Sequence, residues 1–178
     1  MPRRGSGREC CLSGLSFRWK SGVGSVCALL AAVSLTEEDR PLRVRLTPAP
    51  GFTLQAVAAW AKDHLAPGNA VFSDGWACFG AVTAVGCAHH PTVMAGRKPR
   101  EVPEFQWINT VLDNLKTSLS GCCHAFDFRK YAARYLAAFC YRFNRRIDRR
   151  TLHQRLLVAT ASSPPQPLRS IRLADVLC

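Results

Sequence analysis

Residues 26–46 read VCALLAAVSLTEEDRPLRVRL, and this stretch decides the fold. Cys27 to Leu35 is an almost unbroken apolar run, the pattern of a strand buried on both faces. At about ten residues the run is too short to cross a bilayer, which takes about twenty. Glu37-Glu38-Asp39-Arg40-Pro41 follows, a polar turn and a poor cleavage region for a signal peptide. Leu42-Arg43-Val44-Arg45-Leu46 then alternates apolar and basic residues, as a half-buried strand does. The two runs predict an antiparallel hairpin.

Downstream, Pro48-Ala49-Pro50-Gly51 breaks the sheet. Phe52 to Leu65 has helical spacing, with Leu54, Val57, Ala58, Ala61 and Leu65 on one side and Thr53 as N-cap. Pro67-Gly68 ends that helix. Ala70-Val71-Phe72 is a short strand with Ser73-Asp74-Gly75 at its carboxyl end. A short helix over Trp76 to Val85 and a strand over Cys87 to Val93 come next, then a basic Gly- and Pro-rich loop over residues 95–103. Ile108, Val111, Leu112, Leu115 and Leu119 stripe one helix. Phe128, Tyr131, Tyr135, Leu136 and Phe139 stripe another, and a further helix covers Thr151 to Thr160. Upstream, residues 1–25 are rich in Gly, Ser and Arg and show no sustained period.

This order predicts an α/β fold, a mixed sheet covered by helices. A ribonuclease H-like fold has the same order after its first strand, and that first strand is expected to be missing here. The domain expectation is an irregular start over 1–25, an α/β domain over 26–160, and a proline-rich linker and tail over 161–178.

The 178 residues are 48% hydrophobic, which supplies a core and excludes a disordered polymer. Lys and Arg number 24 against 12 acids, a net charge of +12, which favours an acidic partner such as nucleic acid over a merely solvated basic surface. The nine cysteines are an odd number and form no C-x-x-C pair, so neither a disulfide framework nor a zinc ribbon is indicated. Cys122-Cys123-His124 is a weak metal candidate, because adjacent side chains diverge. A reducing cytoplasm suits this cysteine usage.

Phosphoryl transfer on DNA commonly uses divalent metals held by carboxylates, so acids at strand ends matter. Asp74, after a short strand and before a Gly, stands where ligand sites form in open α/β sheets. The same position would also suit a cap on the helix that follows. On the helix around residues 107–116, Asn109, Asp113 and Lys116 share one face, with Asn109 and Lys116 two turns apart. That stripe could hold a metal and a phosphate, or could be an ordinary solvated face. Arg142, Arg145, Arg146, Arg149, Arg150 and Arg155 crowd together, with Tyr141 and Phe143 among them, as a patch that neutralises DNA phosphates or a basic, soluble helix.

These pieces together resemble the IS1595 (ISXO2-like) insertion-sequence transposases. The resemblance rests on Val71-Phe72-Ser73-Asp74-Gly75-Trp76, Cys87-Ala88-His89-His90 and Trp107-Ile108-Asn109-Thr110 through Asn114-Leu115-Lys116. It continues through Ser120-Gly121 with His124, Lys130-Tyr131 through Arg134-Tyr135-Leu136, and Tyr141-Arg142-Phe143-Asn144-Arg145-Arg146, and it runs from about Val33 to Leu157. It implies DDE-type DNA cleavage and strand transfer in a bacterial cytoplasm with Mg²⁺ or Mn²⁺. Asp74 would be the second Asp, Asn109 the third ligand, Lys116 the following Lys, and His89 or His90 the His after the second Asp. Asp113 is a conceivable extra ligand. DNA is the implied partner, a homo-oligomer is compatible, and no membrane is implied.

The sequence departs from the family at the first Asp. Residues 1–25 hold one acid, Glu9, and no acidic strand. Asp39, in the turn after the next strand, is badly placed to replace it. The start is therefore expected to be a truncation or a frameshifted reading, and this copy to be inactive. The alternative is a non-catalytic, basic DNA-binding fragment.

Overall fold

The apolar run folds as strand β2, Val26–Leu35, and its neighbours explain why it is apolar throughout. Leu29, Ala31, Val33 and Leu35 point into one buried cluster, and Leu30 and Ala32 into a second on the opposite face. A strand covered on both sides has no solvent face to carry polar residues. Full burial of each such Leu or Val is worth about 1.5–3 kcal/mol.

The computed structural model describes residues 9–18, 26–93, 102–122 and 128–173. Most of the expected 95–103 loop, together with Cys123 and His124, lies outside them. The sheet has the order β3-β2-β1-β4-β5. Strand β1 is Glu9–Arg18, β3 is Pro41–Ala49, β4 is Ala70–Ser73 and β5 is Ala88–Pro91. β1 pairs antiparallel with β2 from Glu9↔Leu35 to Arg18↔Val26, and parallel with β4 from Glu9↔Ala70 to Leu12↔Ser73. β4 and β5 are parallel.

This corrects one expectation. A strand, β1, lies within residues read as irregular, and it is the central strand of the sheet. Its sequence, ECCLSGLSFR, has no clean alternation and includes a Gly and two Ser, so no periodic signal marks it. Long pairing with β2 supplies what local propensity does not.

Helix α1, Leu54–His64, covers one face. Thr53 is its N-cap, its hydroxyl accepting from the Ala56 amide at 3.2 Å. Val57, Trp60 and Ala61 join Val71, Phe79 and Val82 in the cluster below it, and the Trp60 indole donates to Thr47 Oγ1 at 3.0 Å. The expected short helix is a 3₁₀ helix, Ala77–Val85, closed by Gly86 in the left-handed region at φ 79°. Helix α2, Gln106–Cys122, and helix α3, Phe128–Asn144, cover the other face through Ile108, Val111, Leu112, Leu115, Leu119 and Leu136. The apolar stripe read in α2 is thus its buried side.

Helix α4, Leu152–Ser162, buries no residue and leaves Leu157 and Val158 exposed. A short helix α5, Leu168–Arg172, lies in the expected tail. Arg134 of α3 reaches it, donating to the carbonyls of Ile171 at 3.1 Å and Ser170 at 3.4 Å. Among the described residues no helix is long and apolar enough to cross a membrane.

The end of α3 closes an edge of the sheet. β3 is an edge strand, and such edges invite unwanted pairing unless blocked. Asn144 blocks this one like a short extra strand. Its Oδ1 accepts from the Val44 amide at 2.7 Å and its Nδ2 donates to the Val44 carbonyl at 3.0 Å. Arg146 donates to the carbonyls of Pro41, Leu42 and Phe143. Asn144→Ala is expected to lower the unfolding free energy by about 1–3 kcal/mol by stranding two backbone groups. Arg150→Ala, at an exposed position, should change it by less than about 0.5 kcal/mol. Urea denaturation of both variants measures this, and equal midpoints would remove the clamp.

Candidate functional site

Asp74 follows β4 and is half-buried at the carboxyl end of that strand. The chain turns sharply after it. Gly75 has φ 80°, and a Cβ there would lie 3.2 Å from Val93 Cγ2 and 3.3 Å from the Val93 backbone, so both conformation and space require glycine. The Thr92 amide donates to the Ser73 carbonyl at 2.8 Å, holding the segment after β5 against the turn. The N-cap position of the following 3₁₀ helix falls on Trp76. Trp76 is 52% exposed and tilts against Phe52 with ring centroids 5.3 Å apart. Burial pushes the Cys78 thiol up, and the Asp74 charge adds to that.

β5 separates the two histidines. His89 Nε2 lies 2.8 Å from Ser73 Oγ, and its pKa is lowered by burial and by the charge of His90. His90 stacks on Phe72 at 5.1 Å, and Phe72 packs against the cluster beneath α2 and α3. By strand alternation the His90 side is also the side of position 74. His90 therefore shares the α2 face, while His89 belongs with Ser73 on the other.

The registers show what stands beside Asp74. β1 and β4 run parallel up to Leu12↔Ser73, the residue before Asp74. The one acid of β1, Glu9, pairs with Ala70. It stands three residues along β1 from Leu12, which pairs with Ser73. On α2, Asn109 is half-buried and Asp113 and Lys116 are exposed. Lys116 Nζ meets Asp113 Oδ1 at 3.0 Å, so the two charges on this stripe are paired with each other. Asp39 serves through its backbone: its carbonyl accepts from the Trp107 indole at 2.6 Å and ties the start of α2 to the β2–β3 turn. Among the described residues no group of three or more His, Cys, Asp or Glu could hold a metal ion. The donors at hand, one carboxylate and a neutral amide, do not fit a pair of Mg²⁺ or Mn²⁺ ions, which want several carboxylate oxygens.

The basic end is better assembled. Arg142, Arg145, Arg146 and Arg149 line one cavity, and Arg150 is exposed beside it. The Arg145 guanidinium lies 3.7 Å from the centroid of the Tyr141 ring, and that of Arg146 3.9 Å from Phe143. Arg142 donates to Ser118 Oγ at 3.3 Å across to α2. Arg155 pairs with Asp148 at 3.0 Å. Burial lowers the Arg146 pKa, and its backbone partners make it a clamp as well as a charge. Counting charges in the sequence gave no sign of this second role, nor of Asn144's. The spacing of Tyr141 to Arg145, one helical turn, was the available signal for the stacking.

The profile of the ISXO2-like transposase domain matches residues 18–144. The chain belongs to this family, the IS1595 group of insertion-sequence transposases. No curated protein matches it. The match spans β2 to the end of α3, and so takes in Asp74, Asn109, Lys116 and Asn144.

The lowered His89 pKa has a consequence for stability. Between its folded value and the ordinary 6.5, the unfolded chain binds more protons. Stability is therefore full above 6.5 and falls as pH drops through the folded value. His64, lowered by burial and by the Arg45 charge, acts in the same direction. His89→Gln is expected to flatten part of the slope between pH 7.5 and 5 and leave the His64 part. Denaturation curves across that range check it; an unchanged slope would rule His89 out.

Proposed function

We propose that this chain is a transposase-type protein of a bacterial insertion sequence, with a ribonuclease H-like core, that binds DNA but does not cleave it. The sheet order β3-β2-β1-β4-β5, three antiparallel strands followed by two parallel ones, supports the ribonuclease H-like reading. Family membership supports transposition as the setting, with element ends and target DNA as partners in a bacterial cytoplasm. Residues 26–160, joined by β1, form the transposase-type domain in this reading, and 161–178 the tail.

One observation carries the loss of cleavage. The central strand, which pairs with β4 up to Leu12↔Ser73, carries one acid, Glu9, and that acid pairs with Ala70 at the far end of β4 from Asp74. Asp74 alone supplies one negative charge to that site, and Asn109 supplies none. Two divalent ions there would lack a shared ligand, and their affinity would collapse. Asp74, Asn109 and Lys116 then remain as the family's catalytic positions without a working site, with His90 on their side of the sheet and Asp113 held by Lys116.

DNA binding stands on the arginines. Arg142, Arg145, Arg149 and Arg150 follow one another along the end of α3 and the segment after it, and phosphate contacts of this kind are independent of sequence.

The test uses a labelled duplex carrying an element end. With Mg²⁺ or Mn²⁺, no cleavage above background is expected, and Asp74→Ala should match the unaltered chain. Metal-dependent cutting that disappears in Asp74→Ala would overturn the reading. Binding is expected to weaken steeply with salt, and each of Arg149→Ala and Arg150→Ala should reduce the log–log salt slope by about 0.9. A slope near zero would remove the arginines as the DNA surface.

A further inference from the structure

Helices α2, α3 and α4 border an open cavity of about 990 Å³, near the top of the ~300–1,000 Å³ common for ligand sites. Its floor is apolar, with Leu115, Leu119, Phe139 and Leu152. Its rim holds Arg142, Arg145, Arg146 and Arg149, and no acid is among the described lining residues. In its wall, Tyr141 Oη and Arg145 Nε are both buried and have no hydrogen-bond partner among the described residues. Buried polar atoms are nearly always paired, so two orphans in one stacked pair call for a ligand.

Resting on the DNA-binding reading above, we propose that this cavity receives one unstacked nucleotide from a single-stranded or frayed DNA end. A paired base inside a duplex cannot enter a pocket, whereas a splayed one can. The apolar floor suits the flat faces of a base. The Tyr141 hydroxyl can donate to or accept from the base edge, and Arg145 Nε–H donates to it. Arg142 and Arg149 stand at the rim where the flanking phosphates would lie, while Arg146 is held by the β3 edge. A simple fatty anion would satisfy the floor and the rim but would leave both orphan atoms unmet. The positive charge of the rim and of the whole chain, +12, matches a polyanion rather than a second copy of this protein.

The experiment compares two probes on the full chain by fluorescence anisotropy: a blunt duplex, and the same duplex with a four-nucleotide 3′ tail carrying 2-aminopurine. The tailed probe is expected to bind about tenfold more tightly, the worth of one well-stacked base. Its 2-aminopurine fluorescence should change on binding. Ala138→Trp fills the cavity from an exposed lining position, with little risk to folding. It should abolish the preference while leaving blunt-duplex affinity in place. Tyr141→Phe should weaken the tailed probe alone. Equal binding of the two probes, or a preference untouched by Ala138→Trp, would overturn the pocket and leave DNA binding standing. Failure to bind either probe at low salt would overturn both.

Discussion

Burial of β2 on both faces is the constraint on which the rest of the molecule depends. Leu29, Ala31 and Val33 pack under α2 and α3, while Leu30 and Ala32 pack under α1 and the 3₁₀ helix. Neither helical layer could lie against the sheet if this strand carried polar residues on its side. β1 is held in turn along its whole length by β2, and its parallel pairing then sets the height of β4 and of Asp74. The position of the candidate site is therefore inherited from an apolar run that takes no part in it.

The closing Tyr-Arg-Phe-Asn-Arg-Arg block serves two demands at once. Asn144 and Arg146 satisfy backbone groups on the β3 edge, and Tyr141, Arg142 and Arg145 face the cavity on the other side of the helix end. A helix end that must both seal a sheet and present charge has little freedom in which residue does which. A basic surface alone would have tolerated Lys at any of these positions. The bidentate amide at Asn144 and the fork of Arg146 would not.

The strand-end site shows the opposite economy. Gly75 keeps the tight bend against Val93, and His90 and Phe72 keep their stack. The turn that presents Asp74 is thus kept, while β1 beside it carries Glu9 as its single acid, paired with Ala70. A fold does not need its catalytic acids in order to form, because a cluster of negative charges destabilises the apo state through repulsion.

The sequence by itself determined the elements whose burial follows a simple period: the two-sided run of β2, the alternating β3, the stripes of α1, α2 and α3, and the Thr53 cap. It also carried the family resemblance, because the order and spacing of Asp74, Asn109, Lys116 and the basic block are properties of the chain. It concealed β1, whose Gly and Ser residues give no period and whose strand state comes from pairing with β2 and β4. Only the tertiary structure decided which histidine shares the face of α2, that β1 runs beside β4 up to Leu12↔Ser73, and that Asn144 and Arg146 seal an edge. Each of these depends on register or on contacts across about a hundred residues, and local pattern holds no information about partners that distant.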